Sequence, residues 1–458
     1  MDKLVEALKE HSIQCRLLEK ADLGPYLYDG LRRYRGFERH TEPSKLVVVY
    51  PKSTDEVVYV VRYANMFKVP IVPVGGMTGL MGGAIPLTDS IMLDMRKMNR
   101  VLEVRPEDRL VVCEAGITLA ELDERLSKEG LMLGHDPWTK QYATVGGSIA
   151  TNGMGYTAAS YGSMRRQVLG LEVVLPTAEV LGTRYVEDSS TGPSLANLFI
   201  GSEGVLGVIT KAVLRVYPIP EKRMFLGYRF PSFEEGFRAL QRLSGVGLTP
   251  TSLEYGEVLD EPSDPLGDYE SELFIMVEGV AEEVDAKTRR ISEIVERCGG
   301  VKTDDTWPHD FWRRRHEVAQ RFMNHVLKGD IDRLWGDNIF DFIHVSLPIS
   351  KVLEYRRLSG EVLSRNRFLI VDRGVWRHPE NFSIAYVGQA RDNALKMLKE
   401  LLATAHSLGG SMEYCHGVGI RLADMMAYEH GVPGFKLLQR IKNVLDPNNI
   451  MNPGKLGF

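Results

Sequence analysis

Five glycines fall within nine residues, at Gly75, Gly76, Gly79, Gly82 and Gly83, just after the apolar run Val69-Pro70-Ile71-Val72. Glycine reaches positive φ and lets the main chain approach a neighbour or a ligand with no Cβ in the way. A strand that ends in such a loop offers several N–H groups to one concavity, which suits a phosphate or pyrophosphate. A surface turn can have the same composition, so the rest of the chain decides. Two further glycine-rich stretches follow, Gly146-Gly147-Ser148-Ile149-Ala150-Thr151-Asn152-Gly153 and Gly201-Ser202-Glu203-Gly204-Val205-Leu206-Gly207. Three such loops in one half of a chain point to one extended anionic ligand touched from several sides. Their spacing fits neither G-x-G-x-x-G after a first strand nor G-x-x-x-x-G-K-[ST], which removes the nicotinamide Rossmann and P-loop readings. The run Gly201-Ser202-Glu203-Gly204 also departs from the G-x-S-x-G elbow, so Ser202 is a poor nucleophile.

The chain has 458 residues, more than one ordinary domain, and two or three domains are expected. Its 44% hydrophobic and 26% charged residues are ordinary globular usage, and a net charge of −5 gives no electrostatic basis for binding nucleic acid. The four cysteines, Cys15, Cys113, Cys298 and Cys415, are scattered without zinc or iron–sulfur spacing, so a reducing, cytoplasmic compartment is the simplest expectation. Residues 1–10 read as a short amphipathic helix rather than a signal peptide. No run approaches about 18 apolar residues. Any membrane association would be a peripheral contact.

Coarse periodicity predicts strands at 45–50, 70–74, 90–94 and 110–115. Helices are predicted at 56–67, with Ser53 or Thr54 as N-cap, and at 118–129, where Thr118 and Glu121 form a capping box. Strands alternating with helices indicate an α+β or α/β domain. After Tyr217-Pro218-Ile219-Pro220 the glycine loops stop and helix-length segments begin, at 232–244 and 282–298. A domain boundary is expected near 220. From 410 onward glycine and charged motifs return, as though the last segment rejoins the first domain.

Taken together, these motifs resemble the FAD-dependent vanillyl-alcohol oxidase/PCMH superfamily. The similar branch is that of D-lactate dehydrogenase, the glycolate oxidase flavoprotein subunit and alkyldihydroxyacetonephosphate synthase. The residues that carry the resemblance are Pro51-Lys52-Ser53-Thr54-Asp55-Glu56-Val57, Pro73 to Gly79, Glu114-Ala115-Gly116, Thr144-Val145-Gly146-Gly147, Ser190-Thr191-Gly192, Gly201 to Thr210, His416-Gly417-Val418-Gly419, and Leu445 to Lys455. The resemblance implies an α+β fold: a PCMH-type FAD-binding domain of two α+β subdomains at 1–219, an α+β cap domain with an antiparallel sheet at 220–414, and a C-terminal segment at 415–458 that returns to the FAD domain. It implies that Pro73, Val74, Gly75, Gly76, Met77, Thr78, Gly79 and Leu80 wrap the pyrophosphate. His135, Asp136, Thr144, Gly146, Gly147, Ser148, Asn152 and Gly153 would line the cofactor, with Glu203, Gly207, Ile209 and Asn452 at its remaining contacts. Where relatives with a tethered flavin place a histidine after the first Gly-Gly, this chain has Met77-Thr78, so FAD is expected to be non-covalent.

His416, before a permissive Gly-x-Gly turn, is the candidate base for a 2-hydroxy acid whose α-hydrogen leaves as hydride; neutral imidazole suits that task near pH 7. Tyr386 and Arg315 are further catalytic candidates. An anionic substrate needs a guanidinium; Arg313, Arg373, Arg377 and Arg421, with His378, are the substrate-binding candidates. The H-x-G-D-G-N-x-H element of D-lactate and D-2-hydroxyglutarate dehydrogenases is absent from the corresponding stretch Val375 to Tyr386, and no metal is expected. Gly134-His135-Asp136-Pro137 leans toward the ether-lipid synthase. The favoured reading is an FAD-dependent oxidoreductase acting on a D-2-hydroxy acid of the lactate or glycolate type, with a separate electron acceptor. The alternatives are a synthase-like transferase acting on a phosphorylated substrate, and a flavoprotein subunit of an electron-transfer complex. A homodimer fits any of them.

Overall fold

The computed structural model describes residues 1–28, 43–328, 338–389 and 391–458. The strands β1 (Cys15–Glu19), β2 (Lys45–Val49), β3 (Ile71–Val74) and β4 (Ser90–Asp94) form a sheet in the order β1-β2-β4-β3. β2, β4 and β3 are parallel and β1 runs antiparallel on the edge. Every residue of β4 is buried, as a parallel strand covered on both faces must be. The crossover between β2 and β3 is the helix Thr54–Phe67, capped by Ser53, whose Oγ accepts from the Glu56 N–H at 3.3 Å. It starts two residues before the predicted 56, because the cap, not the first apolar residue, sets the boundary.

A second, antiparallel sheet contains β5 (Val101–Arg105), β6 (Leu110–Glu114), β7 (Leu131–Leu133), β8 (Val168–Val174), β9 (Val180–Gly182) and β10 (Val208–Pro218). Its order is β5-β6-β10-β8-β9, with β7 also paired to β10. The helix Leu119–Ser127 opens with the predicted Thr118/Glu121 capping box.

The third sheet has seven strands: β11 (Lys222–Phe230), β12 (Ser252–Glu257), β13 (Ser271–Gly279), β14 (Val301–Lys302), β15 (Ile339–Ser346), β16 (Leu369–Trp376) and β17 (Asn381–Gly388). All its pairings are antiparallel, in the order β14-β11-β13-β12-β16-β17-β15. One apolar core runs from the second sheet into this one, from Val111 and Leu214 to Tyr228, Leu253 and Phe382. The first sheet and its helix close over a separate core.

The end of the chain is tied back to its beginning. Met451 forms a parallel bridge with Ile71, and the Asn452 N–H donates to the Ile71 carbonyl at 2.8 Å. Lys442, almost fully buried, donates to Asp446 at 2.5 Å, to the Met451 carbonyl at 2.7 Å and to the Val205 carbonyl at 3.0 Å. A buried ammonium is tolerable only when its donors are used in this way. Among the described residues no helix is long and apolar enough to cross a membrane.

Candidate active site

A long cleft opens where the first two sheets meet the edge of the third. Its walls include the whole first glycine loop, Pro73 to Leu80, together with His135, Thr144, Gly146, Gly147, Ser148, Gly153, Glu203, Gly207 and Ile209. The two glycine loops are packed too closely for side chains. A Cβ on Gly76 would run into the Tyr142 carbonyl, and one on Gly146 would sit 2.8 Å from the Ala115 Cβ. What remains facing the cleft is backbone and small side chains, a surface matched to a flat aromatic ring system carrying a diphosphate.

Three basic groups stand in the cleft wall: His135, Arg377 and His416. Arg377 follows the last residue of β16 at φ 68°, an unusual conformation for a side-chain-bearing residue. Its N–H donates to the Leu253 carbonyl on β12, and its Nε donates to the Gly155 carbonyl at 2.7 Å. The guanidinium lies over the Tyr156 ring, 5.8 Å from the centroid. Its terminal nitrogens have no hydrogen bond or ion pair among the described residues, so a bidentate fork faces the cleft.

His416 is held by a small device. The Glu203 carboxylate accepts from the Val418 N–H at 2.6 Å and from the Gly419 N–H at 2.8 Å. Gly417, at φ 82°, has no room for a Cβ, which would lie 2.5 Å from the Glu203 Oε1. The Glu413 carboxylate accepts from the His416 N–H at 3.0 Å, and its Oε1 is 3.7 Å from the ring Nδ1. Burial disfavours the charged ring, but Cys415 and Glu413 outweigh it and hold His416 up at about 10. These neighbours favour the protonated ring, whereas the sequence reading took His416 as a neutral base. His135 is the opposite. It is 2% exposed, neither ring nitrogen has a hydrogen-bond partner, and burial pushes it down to about 3, so it is neutral.

Several predicted site residues lie elsewhere. Tyr386 is fully buried in the cap core, with its hydroxyl 3.3 Å from Asp341, so it does not reach the cleft. Arg421 donates to Asp341 at 2.6 Å and to the Phe342 carbonyl at 2.9 Å, which anchors the C-terminal segment to β15. Arg373 is sealed in an ion pair with Glu257. Arg313 is exposed and paired with Asp310. His378 is half-buried behind Arg377 and lies outside the cleft wall. Arg315 and Asp136 form one clamp: Arg315 Nε donates to Asp136 at 2.8 Å, and Lys140 and His316 crowd the same carboxylate. Burial penalises the Asp136 charge, but His316, Arg315 and Lys140 hold its acid well below the usual carboxylate range. The pair fastens the cap to the loop that carries His135, and neither member lines the cleft. Asn152 accepts from the Arg165 N–H and faces a neighbouring cavity, while the Asn452 amide donates to the Gly83 and Glu203 carbonyls.

Sequence reasoning passed over Met81, Trp138, Met154 and Cys415, all in the cleft wall. Trp138 follows the quoted Gly-His-Asp-Pro run and Cys415 precedes His416; adjacency was the available signal. Nor did the sequence place His344 beside His416. Their rings meet edge-on at 4.4 Å, and with Glu413 they bring three ligand atoms within 4.8 Å, a set with the chemistry to hold a divalent cation.

A glycine-walled cleft between two α+β lobes, roofed by an antiparallel sheet, defines a flavoprotein architecture. The chain belongs to the FAD-linked oxidase family: residues 45–184 match the FAD binding domain and residues 219–456 match the C-terminal domain of FAD-linked oxidases. FAD is its cofactor, and the cleft has the close-packed loops and the unencumbered backbone to take it. A D-lactate dehydrogenase of Archaeoglobus fulgidus is 32% identical over 426 residues, covering 90% of this chain and 91% of that protein. An alkyldihydroxyacetonephosphate synthase of Trypanosoma brucei brucei is 27% identical, covering 89% of this chain and 72% of that protein. Among solved structures, p-cresol methylhydroxylase with substrate bound superposes with a TM-score of 0.77 at 20% identity, covering all of this chain and 96% of the other, and so shares the fold.

Proposed function

We propose that this protein oxidises a D-2-hydroxy acid of the lactate or glycolate type and passes the electrons to a separate acceptor. The observation that carries the reading is the cleft wall, where one guanidinium fork, one charged imidazole and one neutral imidazole face the same space. FAD supplies the chemistry of accepting a hydride from the substrate α-carbon.

The protein's part is to bind, orient and manage a proton. Arg377 takes the carboxylate through its two terminal nitrogens, which fixes the α-carbon relative to the cleft floor. His416, as imidazolium, donates to the hydroxyl oxygen and stabilises negative charge as it develops there. His135, neutral and with both nitrogens unengaged, accepts the hydroxyl proton, which becomes strongly acidic as the hydride leaves, so that a weak base suffices. Glu203 and Glu413 keep the His416 turn in one geometry. Met77 and Thr78 offer no imidazole for a flavin tether, so FAD is held non-covalently. The residues 220–414 act as the substrate cap, and 415–458 return His416 to the FAD domain.

Anaerobic addition of D- and L-2-hydroxy acids to the yellow protein tests this reading. Bleaching of the oxidised-flavin band by a D-hydroxy acid, lost in His416→Ala, is the expected result. A flavin that no hydroxy acid bleaches would overturn it. Turnover of an acyl-dihydroxyacetone phosphate with a fatty alcohol would then favour the transferase reading, which the Gly134-His135-Asp136-Pro137 run supports.

A further inference from the structure

β12 carries two glutamates three residues apart, and β16 with the residue that follows it carries two arginines four residues apart, with opposite outcomes. Glu257 and Arg373 are joined directly: Arg373 Nε and Nη2 donate to the two carboxylate oxygens at 2.6 and 2.8 Å. Glu254 and Arg377 are not. Glu254 stands opposite Trp376 in the strand register, one residue from Arg377. It is 5% exposed, and neither carboxylate oxygen has a hydrogen-bond partner. An ionised carboxylate buried in that way is costly. Yet the acid interacts through space with Arg377, the cleft's guanidinium.

We propose that Glu254 is a positioning residue that sets how tightly Arg377 holds an anionic substrate. This deepens the hydroxy acid reading and rests on it. Burial, with a smaller contribution from Asp372, pushes Glu254 up to about 8 against the pull of Arg377. The other groups facing this acid and its arginine are Tyr156, on the loop below, Tyr414 and Cys415, and the imidazoles of His135 and His378. At neutral pH Glu254 is uncharged, and Arg377 presents its full positive charge to the cleft. Once Glu254 ionises, it neutralises Arg377 from behind and weakens its grip on the carboxylate. By reciprocity, an anion bound at Arg377 must raise the affinity of Glu254 for its proton.

The test uses FAD-loaded protein and oxalate, an unreactive dicarboxylate, with affinity read from the flavin difference spectrum. Oxalate affinity should fall about tenfold between pH 7 and 9 in the parent, the scale of one nearby opposite charge. It should stay nearly level in Glu254→Gln over that range, which ends below the titration of His416. The parent should also take up protons on binding oxalate, most strongly near pH 8, measured by calorimetry in buffers of different ionisation enthalpy; this arm needs no variant. A Glu254→Gln profile with the parent's slope, or oxalate binding without proton uptake near pH 8, would overturn the proposal. An Arg377→Ala protein that binds oxalate as tightly as the parent would instead overturn the site reading beneath it.

Discussion

Arg373 and Arg377 lie four residues apart at one end of a strand, and the fold uses them in opposite ways. Arg373 is 1% exposed, with its guanidinium divided between Glu257 and the Pro265 carbonyl; Arg356 crowds the same glutamate. Arg377 is also largely buried, but among the described residues one backbone carbonyl is the sole hydrogen-bond acceptor of its guanidinium, and it forms part of the cleft wall. The first is a charge whose partners complete it. The second is a charge left incomplete. A buried cation with every donor satisfied can only hold structure, whereas one with donors to spare can bind.

The sharpest way to break this comparison is to remove each arginine in turn. Arg373→Ala leaves the buried Glu257 with Arg356 as its remaining ion-pair partner, and loss of one partner of a buried pair costs up to about 3–5 kcal/mol. Thermal denaturation should show a large drop in Tm, with the fraction that folds still binding oxalate. Arg377→Ala should leave Tm close to the parent and raise KM for the hydroxy acid about 100-fold or more, since two charge-assisted hydrogen bonds are lost. Equal Tm losses in the two variants would erase the distinction.

His416→Ala and His135→Gln extend the contrast to the imidazoles. Each should lower kcat by about 100- to 10,000-fold in rapid-reaction flavin reduction, with FAD retained. Arg377→Lys keeps the charge but loses the fork, and should cost about tenfold in KM. Arg373→Lys, by contrast, should mainly cost stability. A further effect concerns pH. His416 has its proton affinity raised from 6.5 to about 10, so its contribution to stability is fully present below 6.5 and is lost as pH rises through 10. Denaturant unfolding of parent and His416→Gln across pH 6 to 10 should converge at the alkaline end; a constant gap would show that the charge is not what stabilises the turn.

Much of the fold was legible in the chain. The apolar runs at 45–50, 70–74 and 90–94 became β2, β3 and β4, and the Thr118/Glu121 capping box formed as written. These are local decisions, made by periodicity and by one side chain bonding its neighbour's backbone. The glycine loop was legible because glycine's allowance for close approach is itself a local property, and it lines the cleft. The arginines were not legible. Arg313, Arg315, Arg373, Arg377 and Arg421 are chemically identical in sequence, and four of the five prove to be paired with Asp310, Asp136, Glu257 and Asp341. Apart from Asp310, three residues from Arg313, these partners lie 80 to 179 residues away along the chain, beyond any local signal.

Sequence alone determined the cofactor class and the direction in which to look for the reaction. Backbone loops that need glycine, and a His-Gly-Val-Gly turn, are written residue by residue. Only the tertiary structure decided which charges remain free to act. That depends on which acid the folded chain brings within reach of each base, and on how much water is excluded there, because burial and pairing, not residue type, set whether a group is charged and whether it is spent. Glu203 under the His416 turn and Glu254 behind Arg377 are products of that long-range assembly, and no local pattern in the chain announces either.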